Sequence, residues 1–285
     1  MRLDHRLLSE IKGTIESGYY ERNGPTRREK RSLCEAIDCA HAAAQLPLLL
    51  EVATALPESG LLRSSRQETG RLIDELAKTS PVAMSLWVEP KCHAGDLRWL
   101  GKELGAPILC KDWIIDPRQI VGGDAVLLCM PLIKFAGADI HALIEAAHEQ
   151  DMEAVLEAFS PEQLSLAKET EADIIAINNH GSNGSAPGAG HSGSPSPNGS
   201  WRGADVNTTV QMLSACKTGR PVISTQGITD PAQVRALISA GATALELAAA
   251  QACGPLAADH ITTLRRAVLG KDPVLASVPE MTKGG

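Results

Sequence analysis

The sequence has few aromatic residues and no long hydrophobic run, and both absences limit what the protein can be. Aromatic side chains make up only 3 % of the 285 residues, so a core must be built from Ala, Leu, Ile and Val. No stretch reaches the roughly 18 uninterrupted apolar residues that a membrane-spanning helix needs, and the N-terminus has no apolar signal core. We therefore expect a cytoplasmic protein with no membrane partner.

Basic residues are too sparse for a nucleic-acid-binding surface. The formal net charge is -7, whereas a surface that follows a phosphate backbone needs clustered Lys and Arg. The one basic run, at 27–31, is interrupted by Glu29 and is interpreted as the solvated start of a helix. Nucleic acid is therefore not an expected partner.

The seven cysteines indicate neither a disulfide framework nor a metal site. Their number is odd, the sequence has no CxxC pair, and no spacing matches a zinc pattern. We interpret them as reduced thiols of a cytosolic enzyme, most of them in its core.

Eight short apolar runs recur along the chain and predict eight strands. They are LPLLLEVA (46–53), VAMSLWV (82–88), PILCKDW (107–113), AVLLCMPL (125–132), EAVLEAF (153–159), DIIAINN (173–179), PVISTQG (221–227) and ALELAA (244–249). Amphipathic patterns predict helices between most of them, at 66–79, 96–104, 140–150, 160–170, 206–218 and 231–240. Two of these helices begin with cap signals, at Ser160 and Asp230.

Strands that are apolar through most of their length, each followed by a helix, indicate a parallel sheet covered by helices. Eight such units favour a single closed (βα)8 TIM barrel at 46–270, with an open doubly wound sheet as the alternative. The third crossover is short, since only residues 118–123 separate Asp116-Pro117 from the fourth strand. We expect a turn or short helical stub there.

Three segments lie outside the regular pattern. Residues 1–45 are expected to form a helical extension, helical near 2–16 and 28–44, over either the floor or the mouth of the barrel. Residues 271–285 are expected to be a C-terminal tail. Residues 181–203 are almost wholly Gly, Ser, Pro, Asn and Ala and predict a flexible loop, which is either a lid or a tolerated insertion.

Polar residues occur where the predicted strands end. In barrels of this type the reacting groups project from the carboxyl ends of the strands. That rule selects Glu51, Glu89, Lys111, Glu157, Asn178 and Gln226. A lysine and a glutamate within apolar strands are costly to bury unpaired, so Lys111 and Glu157 either form a structural ion pair or face a functional pocket. Convergence of ionisable groups from several strands favours the pocket.

Several segments resemble indole-3-glycerol-phosphate synthase. PILCKDWIIDPRQI (107–120) is similar to the third-strand pattern K-D-F-I-I-D-P-x-Q-I, EAVLEAFSPEQL (153–164) to the fifth strand, and DIIAINN to the sixth. LPLLLEVA is similar to the first strand, and SLWVEPKCHAGDLRWL (85–100) to the second strand and its E-P-K loop. The resemblance implies a catalytic acid at Lys111, a general base at Glu157 and a catalytic-motif glutamate at Glu51. It implies substrate binding by Asn178, Glu89, Lys91, Gln226, Gly227 and His180.

The sequence departs from the family pattern mainly where the substrate is anchored. A lysine expected two residues after Glu51 is Ala53, and an arginine expected two residues after Asn178 is His180. The seventh strand's Glu-Ser-Gly reads Thr225-Gln226-Gly227, and the Gly-Ser after the eighth strand reads Ala248-Ala249. These positions hold the phosphate and the carboxylate of the usual substrate, so its affinity is expected to differ.

The resemblance implies a carboxy-lyase of tryptophan biosynthesis that needs no metal or organic cofactor. Its substrate is the small phosphorylated compound 1-(2-carboxyphenylamino)-1-deoxyribulose 5-phosphate, which closes to indole-3-glycerol phosphate with loss of carbon dioxide and water. Two alternatives stay open: a barrel lyase or isomerase acting on another small phosphorylated or carboxylated compound, and a non-catalytic barrel that serves as a partner subunit. The sequence carries no signal of an oligomeric state.

Overall fold

The protein folds as a closed barrel of parallel strands surrounded by helices. The computed structural model describes residues 3–22, 29–52, 55–56, 60–61, 66–90, 104–180, 203–247 and 257–268. Within these ranges eight parallel strands pair in chain order, and the last strand pairs with the first. They are β1 (Leu48–Val52), β2 (Ala83–Trp87), β3 (Ile108–Lys111), β4 (Ala125–Cys129), β5 (Glu153–Ala158), β6 (Ile174–Asn178), β7 (Val222–Thr225) and β8 (Ala244–Leu247). The predicted (βα)8 barrel and its eight strands are confirmed.

Helices precede the barrel and follow most of its strands. In the described ranges they are α1 (His5–Glu16), α2 (Tyr19–Arg22), α3 (Leu33–Ala42), α4 (Arg66–Ala77), α5 (Met130–Ala136), α6 (Ile140–Glu149), α7 (Pro161–Lys168), α8 (Asn207–Ala215), α9 (Pro231–Ala240) and α10 (Ala257–Val268). Both predicted caps are present: the Ser160 side chain accepts from Gln163 N, and Asp230 forms a capping box with Gln233. A short antiparallel pair, Ala55–Leu56 with Gly60–Leu61, follows β1.

The predicted boundaries differ from the structure in a few places. The fourth apolar run was predicted as a strand through residue 132, but β4 ends at Cys129 and α5 begins at Met130. Pro131 explains the change, because proline fits the first turn of a helix and lacks the amide that a strand ladder needs. Helices α2 and α10 were not predicted, and the helix predicted at 96–104 falls almost entirely outside the described residues.

The third crossover is as short as its sequence indicates. A single 3-10 turn, Pro117–Gln119, connects β3 to β4. Its cap is Asp116, whose side chain accepts from Arg118 N, while the Gln119 side chain accepts from the Asp116 amide. This reciprocal capping satisfies the free amides of a turn that is too short to form a regular helix.

The N-terminal helices contact the barrel at both of its ends. Leu33 and Ile37 of α3 pack into the apolar cluster of the barrel interior, and the α3 N-terminus is held by Glu153, which accepts from Leu33 N at 2.6 Å at the amino end of β5. Helices α1 and α2 instead pack beside the opposite ends of the strands, in a cluster that includes Cys129 and Phe159. The extension therefore closes the floor and also borders the mouth.

A second apolar layer joins the outer face of the strands to the surrounding helices. It contains residues of alternate strand positions, such as Leu48 and Leu50, with helix residues such as Leu143 and Leu237. Strand side chains alternate between two faces, so the residues between them point into the barrel. None of the helices in the described ranges is both long and apolar enough to cross a membrane.

Candidate active site at the carboxyl mouth of the barrel

Charged and polar side chains from five strands meet inside the barrel near its carboxyl end. They are Glu51 of β1, Lys111 of β3, Glu157 of β5, Asn178 of β6 and Glu246 of β8, and each is less than a tenth exposed. Each lies two residues beyond an interior apolar residue on the same strand face, as Lys111 follows Leu109 and Glu157 follows Val155. The strand geometry therefore places this set as one layer above the apolar layer.

Lys111 is held by two carboxylates. Its Nζ donates to Glu51 Oε1 at 2.9 Å and to Glu246 Oε2 at 2.7 Å. Burial disfavours the ammonium, but the charges of Glu246, Glu51 and Glu157 outweigh burial and raise the pKa of Lys111 above its ordinary value. Lys111 is therefore a charged ammonium at neutral pH.

Glu157 is held separately, by an amide. Asn178 Nδ2 donates to Glu157 Oε1 at 2.8 Å, and Cys129 of the neighbouring strand lies beside the same carboxyl. Burial raises the pKa of Glu157, while the charge of Lys111 and the Asn178 hydrogen bond offset part of that rise. Lys111 and Glu157 thus influence one another through charge without forming the direct ion pair of the structural alternative.

Two tryptophans border the charged layer. Trp87 Nε1 donates to Glu51 Oε1 at 2.9 Å, so Glu51 accepts from both the indole and the ammonium. The Trp87 ring lies 5.3 Å from the Trp113 ring, centroid to centroid, and Lys111 Nζ lies 6.0 Å from the Trp87 ring. Among the described residues the site therefore combines one ammonium, several carboxyls and a partly exposed aromatic surface.

The remaining predicted site residues that the structure describes follow the carboxyl ends of their strands. Glu89 is buried just beyond β2, His180 follows β6 with its amide donating to Asn178 Oδ1 at 3.0 Å, and Lys91 lies outside the described residues. Gln226 and Gly227 follow β7 with φ values of 69° and 75°. A Cβ at Gly227 would lie 2.8 Å from Ala204 Cβ, so glycine is required for that close approach.

Three structural features of the mouth were missed by the sequence reasoning. Glu246 accepts a hydrogen bond from Lys111, and Trp87 donates one to Glu51. Tyr20 of α2 donates to Asp112 Oδ2 at 2.9 Å and thereby joins the N-terminal helices to β3. Asn179 links three elements, because it donates to Ser224 Oγ and the Gln226 carbonyl and accepts from Thr209 Oγ1.

Glu246 carried a signal that could have identified it. It is a glutamate within the apolar run ALELAA (244–249), just as Lys111 and Glu157 are charged residues within apolar runs. Tyr20 and Asn179 carried no comparable signal, since tyrosine and asparagine are ordinary residues for a short helix and a strand end.

Other parts of the structure offer less chemistry. A groove of about 470 Å³ lies near the amino ends of the strands, between α3 and α4, and is lined by residues such as Ala40, Leu46 and Val82. It contains no acid–base pair, so its size does not make it the active site. Among the described residues, no group of three His, Cys, Asp or Glu side chains is arranged to hold a metal ion.

The closed parallel barrel and the layer of ionisable side chains at its carboxyl mouth define the class of (βα)8-barrel enzymes, in which loops and strand ends at that face carry the chemistry. The profile of the family described as "Indole-3-glycerol phosphate synthase" matches residues 8–182, which is more than half of the chain. The chain therefore belongs to the indole-3-glycerol phosphate synthase family.

Individual relatives agree with this assignment. The chain is 28 % identical to the indole-3-glycerol phosphate synthase of Halobacterium salinarum over 261 residues, which cover 89 % of this chain and 95 % of that protein. It is 30 % identical to the synthase of Methanocaldococcus jannaschii over 161 residues, covering 54 % and 59 %. Among solved structures, an N-acetylmannosamine-6-phosphate 2-epimerase from Clostridium perfringens matches with a TM-score of 0.54 at 14 % identity, covering 80 % and 93 %, which supports the fold alone.

Proposed function

We propose that this protein is an indole-3-glycerol-phosphate synthase that acts in the cytoplasm, a carboxy-lyase of tryptophan biosynthesis. It closes 1-(2-carboxyphenylamino)-1-deoxyribulose 5-phosphate to indole-3-glycerol phosphate, carbon dioxide and water. The observation that carries the proposal is the separation of roles at the mouth: the Lys111 ammonium is held by Glu51 and Glu246, whereas Glu157 is held by Asn178. An acid and a base are thus kept apart within one buried layer.

Lys111 supplies the acid of the proposed reaction. The ring carbon that bears the carboxylate attacks the ribulose carbonyl, whose oxygen gains negative charge and a proton from the ammonium. Carbon dioxide then leaves, and its bonding electrons restore the aromatic ring. Lys111 then takes up a proton from solvent and protonates the new hydroxyl, which departs as water. The raised pKa of Lys111 supports this role, because the side chain stays charged until the substrate oxygen takes its proton.

Glu157 supplies the base. Loss of water must be balanced by removal of a proton from the ring that has just closed, and an ionised carboxylate accepts it. The raised pKa of Glu157 makes it a stronger base than an ordinary glutamate, and the Asn178 amide fixes its orientation. Glu51 holds Lys111 and, together with Asn178, orients the sugar hydroxyls.

Substrate binding is proposed for the residues around this centre. We assign contacts with the sugar and the anthranilate ring to Glu89, Lys91 and His180, and binding of the phosphate to the backbone at Gln226 and Gly227. The amides of Ala232 and Gln233 at the start of α9 already donate to Asp230, so the backbone before that helix is the better phosphate site.

The direct test is turnover of the carboxyphenylamino substrate by the full chain, followed by indole fluorescence. We expect product from the wild-type protein and a loss of about 10²-fold or more in kcat for Glu157→Gln, which keeps the shape of the side chain. Glu145→Gln, at an exposed position of α6, is the matched control and should leave kcat unchanged. A folded wild-type protein that yields no indole product would overturn the proposal.

One observation favours a second candidate, a related lyase or isomerase acting on another small phosphorylated or carboxylated compound. Lys111 is the only Lys or Arg in the buried layer within the described residues, against three glutamates, and the sequence has Ala53 and His180 where the family pattern has cations. Fewer cations weaken the binding of a trianionic substrate. A thermal-shift screen with phosphorylated sugars and anthranilate derivatives separates the candidates, since stabilisation by the former alone would favour the second.

A further inference from the structure

Glu246 is a buried carboxylate that the proposed acid–base pair does not require. It lies on β8, is 1 % exposed, and its Oε2 makes the shorter of the two ion pairs to Lys111, 2.7 Å against 2.9 Å for Glu51. Burying a glutamate to this degree in an apolar strand costs free energy unless the carboxylate is paired with a cation.

The strand register explains how two carboxylates reach one ammonium. Glu246 lies on β8 beside Leu49 of β1, and Glu51 follows Leu49 by two residues on the same face. The two carboxylates therefore stand on adjacent strands, whereas Lys111 extends toward them from β3. Glu51, Lys111 and Glu246 together form what we call the carboxylate clamp.

The clamp fixes both the direction and the charge of the lysine. With Glu51 alone the ammonium could rotate toward Glu157, because a lysine donates three hydrogen bonds from a flexible stem. A second short contact removes that freedom. Glu246 is also the largest favourable charge acting on Lys111.

The second carboxylate oxygen of Glu246, Oε1, makes no hydrogen bond to Lys111. Oε1 is buried and makes no hydrogen bond of normal geometry to a described residue, although the Ser85 hydroxyl lies close enough to favour the ionised form. Burial raises the pKa of Glu246, and the charge of Lys111 opposes that rise. The clamp therefore gains its full charge only at a pH above the raised pKa of Glu246.

We propose that Glu246 is a positioning residue, which acts through Lys111 by holding the ammonium charged and directed away from Glu157. Its role in turnover rests on the proposed function. The effect of Glu246 on the charge of Lys111 does not depend on the proposed function. An experiment can therefore reject the positioning role or the proposed function independently of the other.

The first experiment measures Lys111 without any substrate. Protein labelled with ¹³C at lysine Cε is followed by NMR between pH 8 and 10.5, and the Lys111 signal is assigned from its loss in Lys111→Met. In the wild-type protein we expect the Lys111 signal to stay at its charged position throughout. In Glu246→Gln the signal should begin to leave its charged position toward the upper end of this range, since removing a charge at hydrogen-bond distance lowers a pKa by roughly one to three units. A Lys111 signal that is identical in both proteins overturns the proposal, whatever the activity.

The second experiment moves the carboxylate to the neighbouring strand. Thr225 on β7 is the register partner of Glu246, is 2 % exposed, and its Oγ1 makes no hydrogen bond within the described residues. We expect Glu246→Leu to lose about 10- to 100-fold in kcat with little change in KM, and the double variant Thr225→Glu/Glu246→Leu to recover part of it. If Glu246→Gln is unstable, the NMR titration is run on Glu246→Leu, whose apolar side chain suits the buried position. In that case a Lys111 signal that titrates as in the wild-type protein overturns the proposal.

The pH profile separates positioning from a structural role. Glu246 raises the pKa of both Lys111 and Glu157, while Glu51 and Cys129 face the same groups and are unchanged in the variant. Glu246→Gln should therefore shift both limbs of the kcat/KM profile to lower pH. A uniform loss of activity with unmoved limbs contradicts the proposal, and an inert wild-type protein with a shifted Lys111 signal rejects only the proposed function.

Discussion

The barrel interior contains two layers of side chains that lie two residues apart along the same strands and differ completely in chemistry. The lower layer includes Leu49, Leu109 and Val155, and α3 closes it from below with Leu33 and Ile37. The upper layer has Glu51, Lys111 and Glu157 at the next position of each of the same strands. Both layers are buried, so burial alone does not determine which residues a barrel strand carries.

This difference indicates that the lower layer contributes to the stability of the fold and that the upper layer contributes to the proposed reaction. The lower layer gains free energy from apolar area removed from water. The upper layer loses the hydration of its charges and recovers it only through short contacts, such as the 2.7 Å ion pair of Lys111 with Glu246. Changes in the lower layer should therefore affect folding, and changes in the upper layer should affect the reaction.

The largest expected effect is that of Lys111→Met. The change keeps the volume of the side chain but removes the proton donor, so kcat/KM should fall by about 10³-fold, within the range for general acids. It also leaves Glu51 and Glu246 buried without a counter-ion, which should cost about 3–5 kcal/mol of unfolding free energy at neutral pH. Turnover assays and urea unfolding measure the two effects.

The control for Lys111→Met is Lys134→Met, at an exposed position of α5. It should change neither quantity. Because protonation removes the repulsion between Glu51 and Glu246, part of the stability lost in Lys111→Met should return on acidification. A Lys111→Met protein with full activity would show that the upper layer is structural and would remove the distinction between the layers.

Leu109→Ala tests the lower layer in the same strand. Leu109 is 2 % exposed inside the barrel, and its truncation leaves a cavity beneath the charged residues. We expect a loss of about 2–4 kcal/mol in unfolding free energy, with kcat per folded molecule nearly unchanged. Leu166→Ala is the control, since Leu166 is 61 % exposed and should change stability little. A large loss of kcat in the folded Leu109→Ala protein would mean that the layers are not independent.

Much of this architecture could be predicted from the sequence because its signals are local. Each strand is a short run rich in Val, Ile or Leu between turn signals, and the caps at Ser160 and Asp230 lie within four residues of the amides they bind. The polar strand ends Glu51, Lys111 and Asn178 stand out for the same reason, as polar residues within apolar runs. All three lie in the upper layer.

What could not be predicted depends on contacts across the barrel. The sequence gives no indication that Lys111 pairs with Glu246, because the two residues meet only when β8 closes against β1. The placement of α1 beside the mouth and α3 under the floor is equally non-local, since both helices have similar apolar faces. Glu246 itself was overlooked although its sequence context matched that of Glu157.

The pH dependence of activity also distinguishes the two layers, because the upper layer contains ionisable side chains and the lower layer is apolar. Burial raises the pKa of Glu157 above its ordinary value near 4.5, and a base must be ionised. The acid limb of kcat/KM should therefore lie above pH 4.5, as a pH–rate profile would measure. An acid limb at or below pH 4.5 would contradict the buried position of this base.

Stability should follow the same groups with a defined sign. Glu157 and Glu246 have raised pKa values in the folded protein, so the folded state binds protons more tightly than the unfolded state. The free energy of unfolding contributed by these groups should fall as pH rises from near 4.5 through their raised pKa values. Urea unfolding across this range measures the slope, and a contribution that rises with pH would be the opposite sign.

The smallest expected effect lies at the edge of the upper layer, where α2 meets β3. The Tyr20 hydroxyl donates to Asp112 Oδ2 at 2.9 Å and accepts from Gln119 Nε2 at 3.2 Å. Asp112 is the residue that follows Lys111 in the chain. Tyr20→Phe should cost about 1 kcal/mol of unfolding free energy and reduce kcat by less than about tenfold, since the ring still packs in place.

A double-mutant cycle with Asp112→Asn isolates this contact from the general effect of each change. If the Tyr20 hydrogen bond is what joins the N-terminal helices to the mouth, the two changes together should cost less than the sum of their separate costs. Additive costs would mean that α2 is held by apolar packing. The edge of the upper layer would then be stabilised in the same way as the lower layer.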